Sequence, residues 1–509
     1  MKRIMAVLLL LCILSASVFP TVSFAEEAEP NSQAASNTET PQDNLVETKH
    51  TAFIQGKELT YTVTAGTMVV STGGEQCEFF FRAYTLDGVE DAGERPITFA
   101  FNGGPGSCSY YLEIGCLGPK RVEISDDGRS LSLPAKLVDN ENSLLDLTDL
   151  VFIDAIGTGY SRPSGESDLS AFIGYDNDIR SFGDFIRQYV SRYQRWGSKK
   201  YLAGESYGTP RAVGLCKYLS DTYSMSINGL MLFSTLNDFR TAVPDTGNEL
   251  PYATYFPTFA ADAWYHGMLG EQYQAMTLEE YLDKVREFVS TEYYPALFRG
   301  NRMTEEERDA LAEKMSSYLG LSKDFLLEKN CRITLEDFCS HLLRDQNLMI
   351  GRNDGRYTGP ITAGSIDSGD SDPSAIEAGL LFGNTFNAYL TEELNYKTDT
   401  PYVPMDGEIN NQWTSPDIGT EWIGGYYSQE DIIYECMSKN PYLKIWVNCG
   451  YYDSATPFYA AEWVYSHVFL NDESKDNLSF SYYPSGHMFY LEKQSFDQFR
   501  QNAEIWYMG

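Results

Sequence analysis

Histidine and basic residues are scarce in this chain of 509 residues: five histidines, and 38 lysines and arginines against 72 aspartates and glutamates, for a formal net charge of −34. A surface so negative repels nucleic acid and anionic membranes, so neither is expected as a partner, and the charge serves solubility. Cysteine pairs at the spacing of zinc sites are missing, as are histidine-rich runs, so no structural metal is expected and no cofactor is implied. Long apolar runs are also absent. The longest, Ile4 to Leu14, is too short for a comfortable membrane span, and no later segment offers one, so no stable membrane anchor is expected. No internal repeat is visible, and no oligomeric state follows from the sequence.

The short apolar run has a different reading. Met1, Lys2 and Arg3 give a positive start, and Ser23-Phe24-Ala25 a small-x-small cleavage site, so residues 1–25 read as a signal peptide and the mature chain as secreted or extracytoplasmic. Cys12 follows Leu11, where a lipid-anchor site would carry a small residue. Removing residues 1–25 takes away two positive charges and no acid, which moves the net charge from −34 to −36. Eight of the nine cysteines remain, and export permits disulfides; Cys108 with Cys116 and Cys331 with Cys339 are close in sequence. Residues 26–48 are polar and lack aromatics, which reads as a disordered spacer, with structure beginning near Thr51.

Beyond the spacer, 43% hydrophobic and 14% aromatic content supply a packed core. Residues 59–63 and 77–84 have strand composition and give an antiparallel start. Short apolar runs at 97–101, 150–153, 200–203, 230–233 and 444–447 are of the kind buried in parallel sheets, and they alternate with helical patterns such as 178–193 and 207–223. The fold class that follows is α/β: a mostly parallel central sheet flanked by helices. Between 241 and 400 helical patterns dominate, with 277–290, 304–317 and 334–343 each opened by threonine followed by acids. This stretch reads as a mainly helical cap inserted between the core parts 49–240 and 401–509, with residues 351–372 a loop within it.

The candidate chemistry starts at Gly204-Glu205-Ser206-Tyr207-Gly208, directly after an apolar run. Gly-x-Ser-x-Gly between strand and helix forms a nucleophile elbow, although composition alone would supply the pattern about once in four chains of this length. A serine nucleophile needs a histidine base and an acid that holds the base, in the chain order Ser, acid, His. That order leaves His467 and His487. His467 lies in a helical pattern and reads as a packed side chain, whereas His487 follows Gly486 on a loop after the strand-like run 478–482. Asp453 lies on the loop after 444–447, where the acid belongs. The Tyr207 amide and an amide from Asn102-Gly103-Gly104-Pro105-Gly106 are the candidate oxyanion donors.

Together these blocks resemble the serine carboxypeptidase family, of the carboxypeptidase Y type. Besides the three segments above, the resemblance is carried by Gly118-Pro119, by Asp154-Ala155-Ile156-Gly157-Thr158-Gly159-Tyr160-Ser161 and by Gly486-His487-Met488, in family order from residue 97 to 490. It implies an α/β-hydrolase fold, a Ser206, Asp453 and His487 triad, an oxyanion hole from Gly104 and Tyr207, and a site for the substrate's terminal carboxylate at Asn102 and Glu205. The partners implied are peptides or proteins with a free C-terminus. A carboxylate binds another only when the two share a proton, so peptide binding is expected to favour acidic pH. The chain departs from the family at Ala100, where the family has Trp, and at Cys116, where it has Glu; Glu113 is a candidate substitute for a missing partner, which the sequence does not place. Its cysteine stands at Cys108, one place later than in the family's Gly-Cys-Ser-Ser. An esterase or acyltransferase on the same triad is the alternative activity, and an inactive binding scaffold is a third reading.

Overall fold

The computed structural model describes residues 41–361, 371–414 and 427–508; the expected signal peptide and most of the expected spacer lie outside them. Three long strands open the fold as an antiparallel meander: β1 (Asn44–Ile54), β2 (Lys57–Thr72) and β3 (Glu75–Leu86). The first strand begins at Asn44, ahead of the expected start near Thr51, so residues 44–48 of the expected spacer are ordered. None of their side chains is fully buried, though Leu45 and Val46 lean on the two faces of the core, and what holds the segment is the ladder to β2, from Asn44 opposite Thr67 to Ile54 opposite Lys57. An edge strand needs little apolar content when one neighbour satisfies its backbone.

Six short strands follow: β4 (Ile97–Phe101), β5 (Asp149–Ile153), β6 (Lys200–Glu205), β7 (Gly229–Phe233), β8 (Lys444–Gly450) and β9 (Leu478–Tyr483). The sheet runs β1-β2-β3-β5-β4-β6-β7-β8-β9, with a tenth short strand, Arg162–Ser164, antiparallel to β3 off this path, and every pair from β5 to β9 is parallel. Strands β4 to β7 are buried at every residue. Alternate side chains serve two cores, as strand pleating requires. Phe99, Leu202 and Leu232 pack beneath helices α1 (Tyr175–Arg192) and α2 (Gly208–Tyr223), while Ala100, Ala203 and Phe233 face the opposite core.

Between β7 and β8 lie α3 (Leu250–Tyr265), which the sequence patterns did not single out, and the three expected helices α4 (Leu278–Phe288), α5 (Glu305–Leu319) and α6 (Leu335–His341). Thr277, Thr304 and Thr334 cap the last three, each in a reciprocal capping box with Glu280, Glu307 or Asp337. These helices bury a core of their own around Phe256, Phe259, Tyr281 and Phe338. The expected loop 351–372 also holds a strand, Thr358–Pro360, paired with Leu348–Ile350; residues 362–370 of it lie outside the described residues. The chain closes with α7 (Lys493–Met508), whose Phe499 and Trp506 pack against Trp446 of β8.

All eight cysteines among the described residues are buried and none is in a disulfide, so neither of the pairs close in sequence is bonded. No helix among the described residues is long and apolar enough to cross a membrane.

Candidate active site

Strand β4 has β5 on one side and β6 on the other, so the loops after β4 and β6 leave the same sheet edge where the winding reverses direction. Such a switch point opens a crevice at the C-terminal strand ends. Gly204 lets the turn after β6 close, since a Cβ there would lie 2.1 Å from the Gly208 carbonyl oxygen. Ser206 stands at the apex with φ +57°, a left-handed conformation that costs a non-glycine residue of the order of 1 kcal/mol. Its amide donates to the Phe233 carbonyl of β7 at 2.9 Å, and its side chain is half-buried.

The loop after β4 presses on this turn. A Cβ on Gly103 would lie 2.4 Å from the Tyr207 amide nitrogen, and Gly104 has φ +99°. Among the described residues neither the Gly104 nor the Tyr207 amide donates a hydrogen bond within the protein. Arg211 of α2 fastens the two loops: fully buried, it donates to the Asn102 carbonyl at 2.7 Å and pairs with Asp178 of α1 at 2.7 Å.

Asp453 and His487 come from the loops after β8 and β9, as expected. Asp453 Oδ1 accepts the amides of Ala455 and Thr456 at 2.8 and 2.9 Å, and Oδ2 accepts the Thr456 hydroxyl at 2.7 Å and His487 Nδ1 at 2.8 Å. Burial opposes a charged imidazole, but Asp453 and then Glu205 outweigh it and raise His487 above its ordinary value of 6.5. The Ser234 hydroxyl, one residue beyond the carbonyl that anchors Ser206, donates to the His487 carbonyl at 2.7 Å. Among the described residues no hydrogen bond joins Ser206 Oγ to His487 Nε2; such bonds commonly tighten only with substrate in place. His467 instead stacks on Trp463 with ring centres 3.9 Å apart and contacts its carbonyl at 2.7 Å, a packed side chain.

Glu205, the residue before Ser206, is buried. Asn102 Nδ2 donates to its Oε2 at 2.8 Å, and the Asn102 side-chain oxygen accepts the Leu112 amide at 3.0 Å. Burial pushes the Glu205 carboxyl up to about 7, with His487, Tyr490 and Asn102 opposing the rise. Glu113 does not replace the missing acid: it is buried against Arg82 and accepts the Tyr84 hydroxyl at 2.6 Å.

Several contacts were invisible in the sequence. The Tyr490 hydroxyl donates to Glu205 Oε2 at 2.8 Å. The cap loop at 352–356 grips both loops after β8 and β9: the Arg352 carbonyl accepts the Ser454 amide at 3.0 Å, the Asn353 carbonyl accepts the His487 amide at 2.6 Å, and Asp354 accepts the Gly486 amide at 3.1 Å. Trp413 donates to the Tyr207 hydroxyl at 2.7 Å. A cavity of about 600 Å³ opens between Gly104 and Tyr207 of the core and Tyr252, Tyr255, Leu335 and Arg352 of the cap. Its size and mixed lining suit an organic substrate.

The sheet order and the elbow place the chain among the α/β-hydrolases, and the fold is that of the KEX1(delta)p crystal structure, a prohormone-processing carboxypeptidase from Saccharomyces cerevisiae. The likeness has a TM-score of 0.56 at 17% identity, over 88% of this chain and 91% of that one. The family model described as Serine carboxypeptidase matches residues 56–324, just over half of the chain, and the chain belongs to that family. Serine carboxypeptidase-like 29 of Arabidopsis thaliana is 31% identical over 167 residues, which are 30% of this chain and 32% of the relative. The pheromone-processing carboxypeptidase KEX1 of Saccharomyces cerevisiae is 34% identical over 137 residues, 26% of this chain and 18% of the relative. These matches span a third or less of the relatives' own length.

Proposed function

We propose that this chain is an exported serine carboxypeptidase that releases C-terminal residues from peptides through a Ser206, His487 and Asp453 triad. The observation that carries the proposal is the buried Glu205 carboxyl beside Ser206, held by Asn102 and raised to about 7. A carboxyl in that state is the group that accepts a substrate's terminal carboxylate by sharing a proton with it, whereas two bare carboxylates would repel.

Chemistry follows from the same placement. With the terminal carboxylate anchored at Glu205 and Asn102, the last peptide bond reaches Ser206. His487 takes the Ser206 proton as the hydroxyl attacks, and Asp453 holds the imidazole so that Nε2 faces the serine. The Gly104 and Tyr207 amides meet the oxyanion. His487 then protonates the departing amine, and the acyl-enzyme is hydrolysed by water with the roles reversed. The remainder of the peptide has room in the 600 Å³ cavity, where Tyr252, Tyr255 and Leu335 favour an apolar residue on the acyl side of the bond.

Paired peptides with free and amidated C-termini test the assignment. The free peptide should be cleaved at least 100-fold faster, an amount on the order of a charge-assisted contact. Equal cleavage of the two, or cleavage of p-nitrophenyl esters alone, would point to an esterase instead. A serine-directed phosphonate should label Ser206; absence of labelling would leave a binding scaffold.

A further inference from the structure

Two donors converge on one oxygen of Glu205: Asn102 Nδ2 and the Tyr490 hydroxyl each lie 2.8 Å from Oε2. Tyr490 is fully buried and held on its turn by Phe489, with ring centres 5.7 Å apart, and by Gly115, where a Cβ would lie 3.0 Å from the tyrosine ring. It stands three residues after His487, so the loop that delivers the imidazole also delivers this hydroxyl. Burial, and the neighbouring Glu205 charge, keep the phenol protonated and able to donate. The other titratable groups facing Glu205 come from each element around it: His487 and Asp453 from the loops after β9 and β8, and Tyr111 and Cys116 from the segment after β4. None of these four hydrogen-bonds the carboxyl, and Glu113 is committed to Arg82 and Tyr84.

We propose that Tyr490 is a positioning residue that sets the pH window for recognition of a substrate's C-terminal carboxylate, by donating to Glu205 Oε2. The inference rests on the carboxypeptidase reading above. Two donors on Oε2 keep the shared proton off that oxygen, so it resides on Oε1, the oxygen that can then donate to the incoming carboxylate. A hydrogen bond to the charged form favours that form, so Tyr490 holds the Glu205 ionisation down toward neutrality. Without it, Glu205 stays protonated to higher pH and the substrate carboxylate is accepted in less acidic solution.

The test compares wild type, Tyr490→Phe and a protein carrying 3-fluorotyrosine at 490, with kcat/KM measured for a free-C-terminus peptide and for its amide between about pH 5 and pH 9, a range that brackets the Glu205 ionisation. For the free peptide, wild type should lose kcat/KM as pH rises through about 7. Tyr490→Phe should move the midpoint of that fall up by roughly one pH unit, the worth of one hydrogen bond to a charged group. Fluorotyrosine, a stronger donor, should move it down, and it answers the question if the phenylalanine variant does not fold. Midpoints unchanged in the variants that fold would overturn the role of Tyr490. A wild type that shows no preference for the free peptide at any pH would instead overturn the carboxypeptidase reading, so the two failures are distinct.

Discussion

Under the proposed mechanism Ser206, His487 and Asp453 act as a unit, so Ser206→Ala should lower kcat for peptides by at least about 10⁴-fold and leave the folding transition nearly unchanged, as steady-state kinetics and a melting curve would show. Glu205→Gln gives a sharper outcome. Glutamine donates without ionising, so the fall of kcat/KM for free peptides through about pH 7 should flatten; a fall that persists would place the titrating group elsewhere. Residue identities of this kind were legible where a motif fixed them. The pentapeptide marked Ser206 and Glu205, and strand context marked Asp453 and His487. Tyr490 was not legible, because nothing in Met488-Phe489-Tyr490 says that the chain turns back beneath β6.

Element by element, the site depends on one loop seating against another. Gly103→Ala should abolish activity with a smaller effect on stability, since the added methyl would stand 2.4 Å from the Tyr207 amide and push apart the two candidate oxyanion donors. If the variant retains wild-type kcat, that loop is not the oxyanion loop. The capped helices of the insertion were readable from threonine followed by acids, because an N-cap is a local interaction. The grip of residues 352–354 on the loops bearing Asp453 and His487 was hidden, because two of its three hydrogen bonds run from backbone carbonyl to backbone amide and leave no mark on residue type, and the third, from the Gly486 amide to the Asp354 side chain, spans a sequence separation no local pattern reveals. The early start of β1 escaped for a related reason: its order comes largely from pairing with β2, and its two apolar residues there, Leu45 and Val46, are too few to stand out in a polar stretch.

The whole molecule buries ionisable groups in two ways with opposite consequences. Arg82 lies, fully buried, between Glu113 and Asp154, 2.8 Å from the latter, so Arg82→Met would strand two acids and should cost about 3–5 kcal/mol in denaturant unfolding. Asp262 of α3 is buried with neither carboxylate oxygen hydrogen-bonded among the described residues, and burial raises it well above 3.8. The folded chain therefore keeps a proton that the unfolded chain releases, and stability falls as pH rises above 3.8, toward the higher folded value. Asp262→Asn should remove that part of the slope; a denaturation midpoint with the same pH dependence in both proteins would show that Asp262 ionises freely in the fold. The alternation of apolar runs and helices was enough to reveal the sheet at this scale, since its central strands β4 to β7 are buried on both faces. The order of strands across it, with β4 between β5 and β6, emerges only from packing.

That order has a consequence in time. The last two strands of the sheet, β8 and β9, are also the last to leave the ribosome, and they carry the loops of Asp453 and His487. The residues that precede β8 contain β1 to β7 and the elbow but neither Asp453 nor His487. Under the proposed triad the Ser206 hydroxyl stays an ordinary alcohol until both strands have been made and have joined the sheet, which ties the arming of the nucleophile to completion of the sheet.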